Sequence, residues 1–318
     1  MKYDFSVIVL SYHPNKEKLF ATLRSVLLQK DCRFEVIVAD DGSGEFYEPE
    51  IRAFFAEQSF EDYRIIGHEH NQGTVLNLLD AADAAQGGYI KPISPGDYLY
   101  DELTLRDLKE FMDDQGVKAV FGDMVYYSAD PEFRVFNTRT PWDDSIYSCD
   151  AEQFDCRRSM KHQMVYLDNI SGASVAYTKD AFCSGLRAIA GHVRYAEDAV
   201  LQLMVLQGDR ICKIPRFVVW YEYGTGISTD LQAGPSPRLK QDFYRFYAML
   251  HEQYPNAPYV GRTYHRWKLM MEGNKLENLL RRFTQIDKLQ FVLKKQVMMK
   301  NYTCSDYDDR FFRQVCER

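Results

Sequence analysis

The stretch FEVIVADDGSGE at residues 34–45 decides the fold class. Its first six residues form a nearly continuous apolar run, which is typical of a strand buried on both faces of a sheet. Asp40 and Asp41 follow the run directly, and Gly42-Ser43 completes a turn. Ligands of open parallel sheets bind beyond the carboxyl ends of the strands, so this turn is a candidate ligand site. A simple Asp-Gly turn is the competing interpretation.

Predicted strands and helices alternate on both sides of this stretch. The strands are predicted at residues 5–10, 34–39, 63–67, 89–93, 118–127 and 211–223. The helices are predicted at residues 16–29, 51–58, 74–86, 103–114 and, with an amphipathic pattern, 196–207. Gly87-Gly88 and Gly208 are interpreted as helix C-caps. This alternation predicts an α/β fold with a mostly parallel, doubly wound sheet flanked by helices.

The C-terminal part has a different pattern. It predicts a helix within residues 235–258 and one long helix over 273–300, so we divide the chain into a domain at 1–230 and a helical extension at 231–318. Residues 261–318 contain 13 Lys+Arg and 7 Asp+Glu, which leaves 26 and 39 for residues 1–260. Apolar residues recur at helical spacing among the basic residues of 262–300. This pattern suits either a helix on an anionic membrane or a helix docked on the domain with its lysines outside.

Composition excludes several classes of protein. The formal net charge of −7 argues against a general nucleic-acid binder. The seven cysteines are scattered and include no CxxC pair, which indicates reduced thiols rather than a disulfide framework or a zinc site. The N-terminal apolar run is too short for a signal peptide, and no apolar stretch has the length of a membrane span. We therefore expect a cytoplasmic protein with membrane contact at a surface only.

Three further polar clusters follow predicted strands or begin helices. Asn71-Gln72-Gly73 precedes Asn77, and Gly73 would let the backbone approach a ligand, or simply start a helix flexibly. Ser94-Pro95-Gly96-Asp97 places one carboxylate where it could hold a divalent metal, unless it is a solvated turn. Glu197-Asp198 begins a helix, where acids are ordinary dipole partners, but Asp198 could also accept a proton from a hydroxyl.

The order of these clusters resembles that of family-2 glycosyltransferases with the GT-A fold. The resemblance rests on the segments FSVIVLSYHPNKEKLFATLRSVLLQ, FEVIVADDGSGE, NQGTVLN, GGYIKPISPGDYL, ISGASVAYTKDAF, RYAEDAVLQLMVLQG and WYEYGTGIST, within residues 3–230. Each segment is weak evidence alone, whereas the ordered set is specific. The sequence patterns GTVxN and SPGD are similar to those of bacterial transferases that build capsule, exopolysaccharide or O-antigen repeats. The resemblance implies an inverting transfer of a hexosyl or N-acetylhexosaminyl group from a nucleoside-diphosphate sugar, with UDP as first choice, to a glycan or lipid-linked acceptor.

The resemblance also implies roles for individual residues. Donor-binding roles fall on Ser11, Asp40, Asp41, Asn77 and Lys91; a metal-binding role falls on Asp97; the catalytic base is Asp198 with Glu197 beside it; and the acceptor and late-loop residues are His192, Tyr223 and Ser228. The family's Asp-x-Asp-Asp pattern reads Ser94-Pro95-Gly96-Asp97 here, so the implied Mn²⁺ or Mg²⁺ would have a single acid from the motif. His192 is otherwise interpreted as a solvated loop residue.

Three other functions are compatible with parts of this pattern. A catalytically degenerate protein that binds a sugar nucleotide or a partner is favoured by Ser94 and Gly96, and opposed by Asp97, Glu197 and Asp198. A nucleotidyltransferase is disfavoured because LSYHPNKEK lacks a Gly-rich phosphate loop. A dinucleotide oxidoreductase is disfavoured because no GxGxxG follows a predicted strand.

Overall fold

A single nine-stranded sheet forms the centre of the computed structural model, which describes residues 2–44, 46–129, 132–224, 236–274 and 286–317. The strands are β1 (Tyr3–Ser11), β2 (Phe34–Asp40), β3 (Tyr63–Gly67), β4 (Gly87–Ile93), β5 (Tyr98–Leu99), β6 (Ala119–Ser128), β7 (Arg134–Val135), β8 (Val175–Thr178) and β9 (Ile211–Glu222). Their order in the sheet is β3-β2-β1-β4-β8-β6-β9-β5, and β7 pairs with β6.

Helices cover both faces of the sheet. They are α1 (Lys16–Leu27), α2 (Glu48–Glu57), α3 (Thr74–Ala84), α4 (Thr104–Gln115), α5 (Cys156–Met160), α6 (Lys179–Ile189), α7 (Ala199–Leu206), α8 (Pro237–Gln253), α9 (Val260–Glu272), α10 (Ile286–Asn301) and α11 (Arg310–Cys316). One apolar core joins the sheet to α3, α6, α7 and α8, and a second joins the opposite face to α1, α2 and α4. The predicted α/β fold with flanking helices is confirmed.

The sheet has a parallel half and a mixed half. β3, β2, β1 and β4 are parallel neighbours, so the carboxyl ends of these strands lie at one edge. β8, which the sequence pattern did not predict, runs antiparallel between β4 and β6, and β9 runs parallel to β6. The four residues of β8 are too few to show a period against the flanking turn and helix, and the position of the strand is fixed by its neighbours.

Some predicted element boundaries are wrong. Gly87-Gly88 is not a helix cap but the start of β4: any side chain at Gly87 would begin 2.4 Å from the backbone N of Ser6, so close strand packing requires glycine there. The predicted amphipathic helix 196–207 begins at Ala199 and is buried on nearly every face. Glu197 and Asp198 therefore lie in the turn before the helix, not in its first turn.

The C-terminal part packs onto the sheet domain. Phe246, Tyr247 and Leu250 of α8 are fully buried in the core that contains α6 and α7. The single long helix predicted over 273–300 is wrong at its start, because α9 ends at Glu272 and Gly273 is extended. Residues 275–285 lie outside the described residues, as does the proposed boundary at 230/231.

The last helix closes an aromatic cluster on the far edge of the sheet. The Phe312 ring of α11 lies 4.5 Å from Trp220 of β9 and 4.9 Å from Tyr127 of β6, measured between centroids. It also contacts Tyr98 of β5, and only 6% of Phe312 is exposed. Because these partners belong to three strands, α11 covers apolar surface that the sheet itself leaves open.

Truncation of this anchor tests how much the last helix stabilises the sheet. We expect Phe312→Ala to lower the free energy of unfolding by about 3–5 kcal/mol, since a buried aromatic side chain is lost and a cavity remains. Denaturant unfolding monitored by tryptophan fluorescence measures this. Phe133→Ala is the matched control, because Phe133 contacts the same cluster but is 44% exposed. Equal losses in the two variants would contradict an anchoring role for α11.

Candidate functional site

The candidate donor-binding residues meet at the carboxyl edge of the parallel half. Ser11 is in register with Asp40 across β1 and β2, and both are buried. The Asp40 carboxylate accepts hydrogen bonds from the backbone N–H and the hydroxyl of Ser43, at 2.8 and 2.5 Å. Ser43 Oγ in turn accepts the backbone N–H of His13 at 2.8 Å. Ser11 Oγ is buried and has no hydrogen-bond partner in the described part of the chain, so it is a polar atom that a ligand could satisfy.

Asp41 connects this turn to the loop before α3. Its two carboxylate oxygens accept the backbone N–H groups of Gln72 and Gly73, at 2.7 and 2.8 Å. Asn77, one turn into α3, donates from Nδ2 to the carbonyl of Ala39 at 3.0 Å. Asp41 therefore fixes the loop before α3 to the end of β2, and the Asn77 amide nitrogen is directed at the backbone of β2.

Lys91 and Asp97 bring two opposite charges into the interior at the end of β4. The Lys91 ammonium is fully buried and donates to the carbonyls of Pro92 and Ala173, at 2.8 and 2.6 Å. Burial lowers the pKa of Lys91 to about 7, although the Asp97 charge opposes this shift. Burial likewise raises the pKa of Asp97 to about 7, and the nearby Glu222 charge adds to the increase. Each group thus lowers the cost of burying the other.

Glu222 is a site residue that sequence reasoning missed. It ends β9, its backbone N–H donates to Asp97 Oδ1 at 3.1 Å, and any side chain at Gly96 would begin 2.5 Å from its Oε2. Its carboxylate accepts a hydrogen bond from the Lys18 ammonium of α1 at 2.5 Å. The signal was one acid inside the aromatic run VVWYEY, but the contact joins positions 125 residues apart and has no local signature.

The Ser94–Asp97 turn is fixed from three sides. Thr22 Oγ1 donates to the Asp97 carbonyl at 2.9 Å and accepts the Gly96 N–H at 3.1 Å. The Tyr127 hydroxyl donates to the Gly96 carbonyl at 2.6 Å. Gly96 has φ of +101°, a conformation that favours glycine. The turn is therefore rigid, and the Asp97 carboxylate has a defined position.

Glu197 and Asp198 form an acidic pair next to the Gly172–Ser174 turn. Both are half-buried, in the turn before α7. Any side chain at Gly172 would begin 3.0 Å from Glu197 Oε1, so the Gly172–Ser174 turn that receives the Lys91 ammonium also borders this pair. Burial raises the pKa of both carboxyls, and the charge of Asp198 raises that of Glu197 further. The pair holds a proton at a pH where ordinary carboxyls are ionised.

The loop before this pair is joined to the donor side by Arg194, a second missed residue. The Arg194 guanidinium donates to the backbone and side-chain oxygens of Asn71, at 2.7 and 3.0 Å. The Arg194 carbonyl accepts the N–H of Val75 at 3.1 Å, and the Arg194 side chain lies directly over Gly73. The residues on the two sides of the site are therefore linked through continuous contacts.

Of the remaining predicted residues, His192 and Tyr223 have contacts of a different kind. His192 is exposed and lines a shallow cavity of about 390 Å³ with Arg245 and Tyr264. Tyr223 packs edge-on against Tyr126 and Phe136, at centroid distances of 5.7 and 5.0 Å. Ser228 lies outside the described residues. His192 and Tyr223 thus have no contact with the acidic pair among the interactions seen here.

A larger cavity lies away from this chemistry. Its volume is about 800 Å³, and Tyr3, Gly88 and Thr178 line it at the amino end of β1 and β4. Charged side chains on its wall are paired with one another, such as Lys118 with Asp209 at 2.6 Å. Because ligands of such sheets bind at the carboxyl edge, the polar cluster at that edge is the better candidate site.

The carboxylates at the donor side fit a divalent cation that has few protein ligands. No group of three or more His, Cys, Asp or Glu side chains within the described ranges is placed to hold a metal ion. The carboxylates of Asp97 and Glu222 are nevertheless near enough for the Glu222 charge to add to the raised pKa of Asp97, and carboxylate oxygen is the donor type that Mg²⁺ and Mn²⁺ prefer. Such a cation would take its other ligands from water and from a diphosphate.

Several solved structures share this fold. S. aureus TarS aligns with a TM-score of 0.55 at 17% identity over 84% of this chain, which spans only 43% of that TarS chain. TarS 1–349 in complex with UDP aligns at 0.53 and 16% identity, covering 86% of this chain and 73% of that one. TarS 1–349 in complex with UDP-GlcNAc aligns at 0.55 and 16% identity, covering 92% and 81%. No sequence among the curated proteins matches the chain.

A family model identifies the chain at the level of sequence. Residues 6–180, more than half of the 318 residues, match the model described as glycosyl transferase family 2. The matched range begins in β1 and ends at the start of α6, and so includes the Asp40-Asp41 turn, the α3 loop and the Ser94–Asp97 turn. The chain therefore belongs to glycosyl transferase family 2 and has its GT-A fold.

Proposed function

We propose that this protein is an inverting glycosyltransferase that moves a sugar from a nucleoside-diphosphate sugar to a hydroxyl group of a glycan or lipid-linked acceptor. The observation that carries the proposal is the Glu197-Asp198 pair, whose raised pKa values suit proton transfer near neutral pH. The pair is joined through Arg194 to the loops that Asp41 holds on the donor side. TarS, which shares the fold, binds UDP and UDP-GlcNAc, which supports a UDP-sugar donor here.

On the donor side, the nucleotide would lie over the ends of β1 and β2. Ser11 Oγ and the remaining lone pairs of Asp40 and Asp41 would receive the base and ribose. Asn77 and Lys91 would lie behind them, where Asn77 holds the carbonyl of Ala39 and Lys91 holds the carbonyls of Pro92 and Ala173. Asp97 and Glu222 would hold a divalent cation, which supplies charge neutralisation to the leaving diphosphate when bound. Family-2 enzymes generally use such a cation.

In the transfer step, the acceptor hydroxyl attacks the anomeric carbon as Asp198 takes its proton. The new C–O bond forms on the face opposite the leaving group, and the electrons of the broken bond leave with the nucleoside diphosphate. This single displacement inverts the anomeric centre, through a transition state with oxocarbenium character. We further propose a hexosyl or N-acetylhexosaminyl group, and a role in capsule, exopolysaccharide or O-antigen assembly.

A catalytically degenerate protein is the second candidate. The observation that favours it is the ion pair between Lys18 and Glu222, which already neutralises the second carboxylate beside Asp97. Such a protein would bind a sugar nucleotide without turnover, so binding and transfer have to be measured separately.

A substitution at the proposed base separates turnover from folding. We expect Asp198→Asn to lower kcat by about 10²–10⁴-fold while the donor still binds. When folding raises the pKa of a carboxyl, the stability that this group contributes is fully present below the pKa of the unfolded chain. That stability is lost as the pH rises through the pKa of the folded protein. Asp198→Asn should therefore melt above the wild type at pH 8, with a difference that shrinks towards pH 4. Glu252→Gln, at an exposed position on α8, should change neither property. Full turnover of Asp198→Asn would contradict the assignment.

Donor binding is tested by thermal shift with nucleoside diphosphates, with and without Mn²⁺ or Mg²⁺. A ligand at 100 times its Kd adds about 2.7 kcal/mol of stability, which shifts the melting midpoint visibly. We expect the largest shift with UDP and cation, and loss of the cation effect in Asp97→Ala. Glu102→Gln is the control, since Glu102 is half-exposed and pairs with Lys30 nearby. Absence of a shift with every nucleotide would contradict donor binding, whereas a shift without sugar transfer would favour the degenerate protein.

We also propose that α10 brings this cytoplasmic enzyme to an anionic membrane. Ile286, Leu289, Leu293 and Val297 are spaced on one face of α10 and are 66%, 59%, 55% and 60% exposed. The opposite face docks on the domain through Phe291, whose ring stacks on Tyr166 at 4.6 Å. Thus aliphatic residues, not only lysines, lie outside. No helix in the described segments is long and apolar enough to span a bilayer.

Charge on α10 favours an anionic lipid surface as the partner of this aliphatic face. The helix has four lysines and one aspartate; Asp287 is paired with Arg262, and Lys294 with Asp143 of the domain, each at 2.6 Å, so the helix keeps a positive net charge. Helices bind anionic lipid surfaces when apolar side chains enter the lipid and neighbouring lysines contact the anionic headgroups. Membrane contact would place the site near a lipid-linked acceptor.

Flotation with vesicles tests this contact in the full chain. We expect the wild type to float with vesicles that contain phosphatidylglycerol, and less with phosphatidylcholine alone. The triple variant Leu289→Gln, Leu293→Gln and Val297→Gln should lose most flotation, because the inserted apolar area is removed. Phe133→Gln, at an exposed aromatic far along the sequence, is the control. Equal flotation of triple variant and wild type would reject the membrane role.

A further inference from the structure

One buried carboxylate of α8 forms hydrogen bonds with the loop that leads to the acidic pair. Asp242 Oδ2 accepts the backbone N–H groups of three consecutive residues: Arg194 at 3.1 Å, Tyr195 at 2.6 Å and Ala196 at 3.2 Å. Asp242 itself is buried. Three successive N–H groups around one anionic oxygen form a nest, in which hydrogen bonds are charge-assisted and stronger than neutral ones. The last of these three hydrogen bonds is at Ala196, the residue before Glu197.

The same loop is fixed on its other side by contacts already described. The Arg194 carbonyl and guanidinium hold it to Val75 and Asn71. With Asp242 on one side and the α3 loop on the other, the backbone at 194–196 has little freedom. Within the described part of the chain, the side chains of Glu197 and Asp198 make no hydrogen bond to another side chain. Their orientation therefore depends on the backbone that precedes them.

Asp242 also contributes charge to the acidic pair. Apart from burial, the charges of Asp198 and Asp242 raise the pKa of Glu197. Beyond the effect of burial, the pair in turn raises the pKa of Tyr177 from β8, and Asp198 raises that of Tyr247 from α8. Among these, Asp242 is the carboxylate supplied from outside the pair, and its negative charge raises the pKa of Glu197. One side chain thus has a geometric and an electrostatic effect on the same site.

We propose that Asp242 is a positioning residue for the transfer reaction, which holds the 194–196 backbone so that Asp198 faces the acceptor hydroxyl. The inference rests on the proposed role of Asp198 as the base. It assigns a part in catalysis to α8, which follows the range matched by the family model. Asp242 does not touch the reacting atoms in this scheme, and acts through the loop.

The first test is amide hydrogen exchange in Asp242→Asn and Asp242→Ala. We expect the amides of 194–196 to exchange about tenfold faster or more in Asp242→Ala, as follows from the loss of a charge-assisted hydrogen bond. Asp242→Asn keeps an acceptor oxygen and should show a smaller increase. Phe246→Leu is the matched control, because Phe246 is fully buried on the same helix and its substitution loosens packing without removing the carboxylate.

The second test is the pH profile of turnover. A misplaced base costs up to about 10²-fold in rate, so kcat should fall in both Asp242 variants while the KM for donor stays near the wild-type value. The acid limb of the kcat profile reports the coupled Glu197-Asp198 pair, and in Asp242→Asn it should move to lower pH, since the charge that raises the pKa of Glu197 has been removed. Phe246→Leu should keep the wild-type limb even if it melts earlier.

The outcomes distinguish this inference from the proposed function. Wild-type exchange at 194–196 together with an unmoved acid limb in both Asp242 variants would overturn the positioning role. If Asp198→Asn turns over normally, the base assignment fails, but exchange at 194–196 still decides whether Asp242 holds the loop. If Asp242→Ala does not fold, Asp242→Asn and the control provide the same comparison.

Discussion

The site depends on the crossing of Arg194 over Gly73. Gly73 has φ of +95°, and any side chain there would begin 2.2 Å from Arg194 Cγ. Its backbone N–H is held by Asp41, so the residue that receives the arginine is itself fixed to the end of β2. Two loops from opposite sides of the site thus meet at Gly73, where the absence of a side chain leaves room for Arg194. A donor bound by one loop and an acceptor bound by the other would be kept in a constant relation, which is what a displacement between two substrates requires.

The site concentrates charges that oppose folding. Lys91, Asp97 and the Glu197-Asp198 pair all have pKa values moved towards their neutral forms, in each case chiefly by burial. A shift of one pKa unit corresponds to about 1.4 kcal/mol between the two protonation states, so several such groups are a considerable cost for one domain. Two large apolar cores and the aromatic cluster around Phe312 offset that cost. Several perturbed groups close to one another are the pattern expected of functional residues rather than structural ones.

Local sequence patterns predicted much of the parallel half and less of the rest. The strand at 63–67 and the start of the helix at 16 agree with β3 and α1, because a continuous apolar run and a 3.6-residue period are local properties. Gly87 was misread as a helix cap because it is the close approach of β1 that requires a glycine there. The contacting residue, Ser6, lies 81 residues away in the chain. Glu222 and Asp242 were missed for the same reason. Their partners are 125 and 46–48 residues distant, and neither hydrogen-bond geometry leaves a periodic trace.

The clusters found by pattern and the residues found by geometry have different tasks. The resemblance placed Asp41 and Asn77 at the donor, but their hydrogen bonds in the structure go to backbone groups. Asp242 likewise bonds to the backbone of the loop before the acidic pair. A carboxylate that satisfies backbone N–H groups resists movement, because breaking it away would leave buried donors without partners. The polar atoms with capacity left for a ligand then include the Ser11 hydroxyl, the Asn77 amide oxygen, and the carboxylates of Asp97, Glu222 and the acidic pair. Charged side chains whose hydrogen bonds are complete form a rigid frame around a few polar groups that still lack partners. The site is therefore preorganised, and the substrates do not have to order it on binding.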